Sequence, residues 1–189
     1  MKSILKLSLA ALPIFVAVMS VTWMAQAQKT GPRLKPKLSV SIKPQDVADA
    51  LHAVIASQRE VYTHTNASRF QEQGFPSPCA MFRMISEATA SKGVEFSYVL
   101  RSLKPVSQRN APETEVERKG LESFATQPEK PFYAEEMLGG RWYFTAVYSD
   151  VALNPSCVTC HNQLKDSARK DYKSGEVMGG VVIRVALEL

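Results

Sequence analysis

The stretch Ser-Cys-Val-Thr-Cys-His-Asn, residues 156–162, places two of the chain's three cysteines and one of its three histidines within five residues. Cys-x-x-Cys-His is the attachment signature of c-type haem. The chemistry dictates its form: two thiols add to the two vinyl groups on one porphyrin edge, and the adjacent histidine reaches beneath the ring to the iron. Cys157 and Cys160 are therefore candidate thioether donors for one covalent haem c, and His161 is the candidate proximal iron ligand. A chain that carries haem on this motif has to fold around a flat macrocycle.

Two rivals fit the pattern less well. A structural zinc site needs four ligands, and beyond the motif the chain offers only Cys79, His52 and His64 as soft or nitrogen donors, with no second Cys-x-x-Cys pair. A thioredoxin-like dithiol should open a helix after a strand in a βαβ unit. Here Pro155 precedes the motif and polar sequence follows it, which reads as a loop.

The first residues follow the secretory pattern. Lys2 and Lys6 supply positive charge, an apolar run extends from Leu7 to about Met24, and Ala25-Gln26-Ala27 has the small-x-small form that signal peptidase cuts. The expected division is a signal peptide over 1–27, a flexible leader over 28–43 and one domain over 44–189. If the apolar run stays uncut it becomes a membrane anchor, the only route to membrane contact. Either way the domain is expected outside the cytoplasmic membrane, where covalent haem is attached, and the reading is periplasmic. Without haem, Cys157 and Cys160 would be a strained disulfide or free dithiol on an exported structural domain.

Composition adds exclusions. With 45% hydrophobic and 22% charged residues, the chain has enough apolar content for one moderate core. Formal charge falls from +5 to +3 when Lys2 and Lys6 leave with the signal segment, too small and dispersed for a nucleic-acid partner.

From Pro44 the periodicity becomes helical: Val47, Leu51, Val54, Gln58, Val61 and Thr65 form a seam at steps of three and four, running to about Phe70. Gly74-Phe-Pro-Ser-Pro breaks it, and a second helix is expected from Cys79 to about Ser91. Val94, Phe96, Tyr98 and Leu100 alternate as in a half-buried strand. A helix follows in "NAPETEVERKGLESFA", with Asn110 and Glu113 spaced as a capping box and Val116, Gly120, Leu121 and Phe124 on one side. Gly139-Gly140 suits the turn of a hairpin, and "MGGVVIRVALEL" reads as a terminal strand. The fold class is α+β, an antiparallel sheet with helices segregated to one face.

The second axial position of the iron is less determined. Cys79 is either a small buried hydrophobe at a helix start or a thiolate ligand, with Pro78 and the helix N-terminus favouring the anion. At about 100° per residue, His64 flanks the predicted seam, whereas His52 lies about 140° away and is expected in solvent. Met81, Met84, Met137 and Met178 are placed as core filling more than as ligands. Water or an open site is the remaining alternative.

The run from Arg59 to Leu187 resembles a bacterial family that binds one c-type haem in a PAS-like fold, as free periplasmic proteins and as sensory halves of signal transducers. The resemblance rests on "REVYTHT", "FPSPCAMFR", "LRSLKPVSQRNAPETEVERKGLESF", "RWYFTAVYSDVALNPSCVTCHN" and "KDYKSGEVMGGVVI". It implies a PAS-like sheet with N-terminal helices packed on it, thioethers at Cys157 and Cys160, and His161 on the iron. Leu164, Lys165 and Ala168 stand where related loops carry a second histidine and two prolines, and Cys79 stands where relatives commonly have alanine. The combined expectation is an exported monohaem cytochrome acting in electron transfer or in haem-based redox or ligand sensing, through a redox or signalling partner protein. A peroxidase-like enzyme is the competing class. It would need acid/base groups over an open site, for which no histidine-arginine pair is evident.

Overall fold

The computed structural model describes residues 42–70 and 72–187. The expected signal segment and most of the leader lie outside them. No helix among the described residues is long and apolar enough to cross a membrane.

Helix α1 spans Pro44–Asn66 and continues into a 3-10 turn, Ala67–Arg69. Helix α2 spans Pro78–Ala90, with Ser77 as N-cap and Pro78 in the first turn, where a missing N–H costs nothing. Strand β1, Phe96–Arg101, leads through a long loop to helix α3, Glu115–Ser123. Strands β2, Phe132–Leu138, and β3, Arg141–Val151, form the expected hairpin. Gly139 and Gly140 both take positive φ, 58° and 82°, as a two-residue turn between twisted strands requires. Helix α4, Pro155–Gln163, and strand β4, Val177–Ala186, complete the chain.

The four strands form one antiparallel sheet in the order β1-β4-β3-β2, the α+β, PAS-like arrangement expected from the sequence. The terminal strand lies inside the sheet. Its Gly180-Val-Val-Ile183 run is buried on both faces, as a strand with neighbours on each side and helices above and below must be.

Helices cover both faces, which corrects the expectation of one-sided packing. On one face, Ala48 and Ile55 of α1 and Phe82 of α2 meet Tyr98, Ala146, Tyr148, Val181 and Ile183. On the other, Leu121 and Phe124 of α3 meet Val147 and Val182, each burial contributing about 1.5–3 kcal/mol. Consequently β1 is covered on this face at its end, where Arg101, 6% exposed, reaches back to Glu117 of α3, while Ser97 stays exposed. The cap of α3 is also displaced from the predicted one. Thr114 accepts the Glu117 amide and the Glu117 side chain accepts the Glu113 amide, whereas Asn110 ends a 3-10 turn.

The predicted seam of α1 is offset by one residue from the face that is buried. Val54 and Val61 are 56% and 62% exposed, while Ala48, Ile55 and Thr63 face the sheet. The buried stripe is partly polar. Asp49 accepts hydrogen bonds from Tyr133 and Tyr148 at 2.8 and 2.6 Å, His52 stacks on Tyr148 at 3.9 Å, and Arg59 pairs with Asp150. A sheet that supplies partners for these groups decides which face turns inward, and apolar periodicity does not register them.

Candidate functional site

At the ends where β1 stops and β4 begins, a cavity of about 690 Å³ opens between α1, α2, the β1–α3 loop and α4. Its size lies in the range of about 300–1,000 Å³ typical of ligand and cofactor sites. Cys79, Cys157, Cys160 and His161 all line it, although Cys79 is 78 residues from Cys157 in sequence. Gly179 forms part of the wall, and its lack of a side chain is required there: a Cβ would come 2.4 Å from the Arg101 carbonyl oxygen of the neighbouring strand.

The motif sits on a helix, correcting the loop expected from the sequence. A bulge between Asp150 and Val151 ends the regular pairing of β3 with β4. Asn154 then caps α4, its Oδ1 accepting the Ser156 amide at 2.9 Å, and Pro155 occupies the first turn. On a helix, positions three and four apart share a face, so Cys157, Cys160 and His161 turn together toward the cavity. Asn154-Pro155 was the available sequence signal for this helix. The dithiol now resembles a redox motif in opening a helix after a strand, but β3 and β4 are antiparallel neighbours, so the segment between them is not a βαβ crossover.

The far end of α4 is held by Asn162. Its amide donates to the Tyr172 carbonyl and accepts the Tyr172 amide, both at 3.0 Å. Tyr172 is 6% exposed, and its ring meets His161 edge to face at 6.0 Å. Burial pushes the His161 imidazole below its ordinary range, with Asp150 opposing and Arg59 assisting. The ring is then neutral near neutral pH, the form that has a lone pair to give a metal.

Cys79 lies in the first turn of α2, positioned by two locks. Tyr62 donates to the Pro76 carbonyl at 2.6 Å, and its ring stacks with Phe75 at 6.1 Å, fixing the α1–α2 connection. Burial pushes the Cys79 thiol up to about 11 against the lowering influence of Arg59. Cys160 is likewise raised by burial and by the neighbouring Cys157.

Arg59 was missed in the sequence. Its Nη1 pairs with Asp150, while its Nε is buried without any hydrogen-bond partner. A buried donor left unpaired costs about 1–3 kcal/mol, so this one calls for an acceptor inside the cavity it lines.

The other ligand candidates fall away from the cavity, Met178 excepted. His64 has a 54% exposed side chain near Glu60, 4.0 Å away, and contacts the capping Asn154 at 3.4 Å. His52 is in the α1 interface and not in solvent, because Tyr148 offers it a ring to stack on. Met84 and Met137 are 58% and 54% exposed, and Met81 does not line the cavity. Met178 does line it. Among the described residues, no three Cys, His, Asp or Glu side chains are arranged to hold a metal ion by themselves.

Chemically, the cavity offers two thiols and a neutral imidazole on one wall, a third thiol on another, and a buried guanidinium with a spare N–H. That donor set fits a flat macrocycle carrying a metal at its centre. The comparisons with known proteins concur on the architecture. No curated protein matches the chain. Among solved structures, the crystal structure of the cyanobacterial haem-protein Tll0287 matches with a TM-score of 0.54 and 15% identity, over 78% of this chain and 98% of that one. Residues 37–186 match the family model described as Tll0287-like. The chain belongs to the Tll0287-like family.

Proposed function

We propose that this protein is an exported single-haem c-type cytochrome, working as an electron carrier or redox sensor. The observation that carries the reading is the convergence of Cys157, Cys160 and His161 on one helix face toward a cavity whose other wall holds Cys79. Cys157 and Cys160 would hold the haem through thioethers, and His161 and Cys79 would be the side chains that bind its iron. When bound, haem supplies a one-electron iron couple whose potential follows its axial ligands.

The chain's own residues set the surroundings. Asn162 and Tyr172 hold His161 in orientation, as outer contacts of a metal ligand do. Arg59 opposes, without overcoming, the burial that keeps the free Cys79 thiol protonated, so that proton would have to leave when the sulfur binds the iron. With both His161 and Cys79 lining the cavity, two protein donors would be available to the iron, which supports a carrier or redox sensor over an enzyme or a gas-binding site. Export of residues 28–189 and a protein redox or signalling partner are parts of the same proposal, with no role for nucleic acid.

Optical spectra of the haem-matured protein, oxidised and reduced, with and without carbon monoxide, test the ligation. A low-spin ferric spectrum altered by Cys79→Ser, with fast carbon monoxide binding gained in the variant, is expected. An unchanged ferric spectrum in Cys79→Ser rules out sulfur ligation by that residue.

A further inference from the structure

Most cations on the cavity wall are matched by carboxylates. Arg59 pairs with Asp150, Arg83 lies 3.8 Å from Glu87, and Arg101 contacts Glu113 and Glu117 at 2.6 and 3.0 Å. Lys104 and Arg109 line the same cavity and are exposed; among the described residues neither makes a direct ion pair, Lys104 acting on Asp171 only through space. Both belong to the β1–α3 loop, which is closed at its base by Ser102 N–H to Asn110 O, 2.8 Å, and by Arg101 Nη1 to Arg109 O, 2.8 Å. The two charges are therefore presented on a fixed support.

The segment after α4 adds to them. Lys165, Lys170 and Lys173 are exposed and make no ion pair among the described residues, whereas Arg169 pairs with both Asp171 and Glu176 at 2.6 and 2.8 Å. This segment adjoins the loop: Lys104, Arg169 and Tyr172 line one small cleft of about 180 Å³. Six cations, Lys104, Arg109, Lys165, Arg169, Lys170 and Lys173, stand against three carboxylates, Asp166, Asp171 and Glu176, so the joint surface is net positive. Two leucines interrupt it, Leu103 at 47% and Leu164 at 39% exposure, and Leu164 also lines the large cavity.

We propose that this surface, lysines and Arg109 around Leu103 and Leu164 at the cavity mouth, is the docking site for an acidic redox partner protein. The proposal rests on the haem reading above and adds the partner's chemistry and entry side. Charge complementarity steers encounter and raises association rates about 10- to 1,000-fold at low salt. Redox encounters of this kind bury less than about 1,200 Å² and dissociate quickly. Unpaired exposed cations beside a small apolar centre suit such a brief, salt-sensitive contact.

Stopped-flow oxidation of the reduced holo-protein by two small probes tests it. Ferricyanide is anionic and tris(phenanthroline)cobalt(III) cationic; each accepts one electron from ferrous haem, leaving ferric haem and ferrocyanide or the cobalt(II) complex. Lys104→Gln/Lys165→Gln/Lys173→Gln should slow the ferricyanide reaction at least about tenfold at low salt, flatten its salt dependence and quicken the cobalt reaction. Lys92→Gln, between α2 and the start of β1, should change neither. Rates within twofold of wild type with both probes overturn the proposal, as does a shifted midpoint potential with unchanged charge selectivity, which would assign the cations to the haem's own carboxylates. Protein that lacks covalent haem overturns the haem reading as well, whereas haem-bearing protein with charge-blind kinetics overturns this proposal alone.

Discussion

Replacing Glu117 should destabilise the domain more than any surface substitution can. Glu117 is fully buried in α3, and its carboxylate accepts from Arg101 at 3.0 Å, from Arg184 at 2.7 Å and from the Glu113 amide. Removing one member of a buried ion pair costs about 3–5 kcal/mol because the remaining charge is stranded. Here Arg184 keeps Glu136 at 2.9 Å and Arg101 keeps Glu113 at 2.6 Å, the latter 69% exposed, so the loss falls at the low end. Glu117→Ala is therefore expected to cost about 3 kcal/mol, and at about 2–4 °C per kcal/mol for a domain of this size to lower Tm by about 6–12 °C. Glu117→Gln keeps volume and one acceptor and should lose about half as much. Burial would raise the Glu117 pKa, but the bonds from the Glu113 amide and Arg184, with Arg101 nearby, hold it below the usual carboxylate range. A depressed folded pKa means its stabilisation is present above the unfolded value and fades as pH falls through the folded one. The wild-type advantage over Glu117→Gln should accordingly shrink in acid. Urea unfolding followed by far-UV circular dichroism at neutral and acid pH measures both effects. Loss of under 1 kcal/mol in Glu117→Ala at neutral pH would refute the reasoning.

Other sites give sharper local tests. A Cβ on Gly120 would come 2.6 Å from Val147 Cγ2, so Gly120→Ala should cost about 1–2 kcal/mol, overpacking outweighing the gain in helix propensity; a urea midpoint at or above wild type contradicts this. Asn162→Ala removes both bonds to the Tyr172 backbone, about 2 kcal/mol in total. It should speed amide exchange in α4 and broaden the haem absorption bands, and unchanged exchange there would discount Asn162 as the anchor.

What the sequence conveyed and what it concealed divide along physical lines. Gly139-Gly140 demanded positive φ wherever it was placed, and β4 was an uninterrupted apolar run, so hairpin and final strand were legible locally. The buried face of α1 was not, because Asp49, His52 and Arg59 turn inward only when Tyr148 and Asp150 of a strand some 90 residues away meet them. The Cys-x-x-Cys-His motif pointed to the proposed chemistry through residue identity alone, yet its helical setting depended on the Asn154-Pro155 cap. Cys79 could be weighed only as a candidate, since its approach to the motif is a product of tertiary folding. Arg59 carried no local signal at all.

The central claim is that Cys157 and Cys160 bind haem covalently. Mass spectrometry of denatured protein, secreted from cells competent in cytochrome maturation, tests it directly. The account predicts the mature chain plus one haem, retained through acid-acetone extraction and lost in Cys157→Ser/Cys160→Ser. A bare polypeptide mass, or haem extracted freely from the wild type, would contradict it.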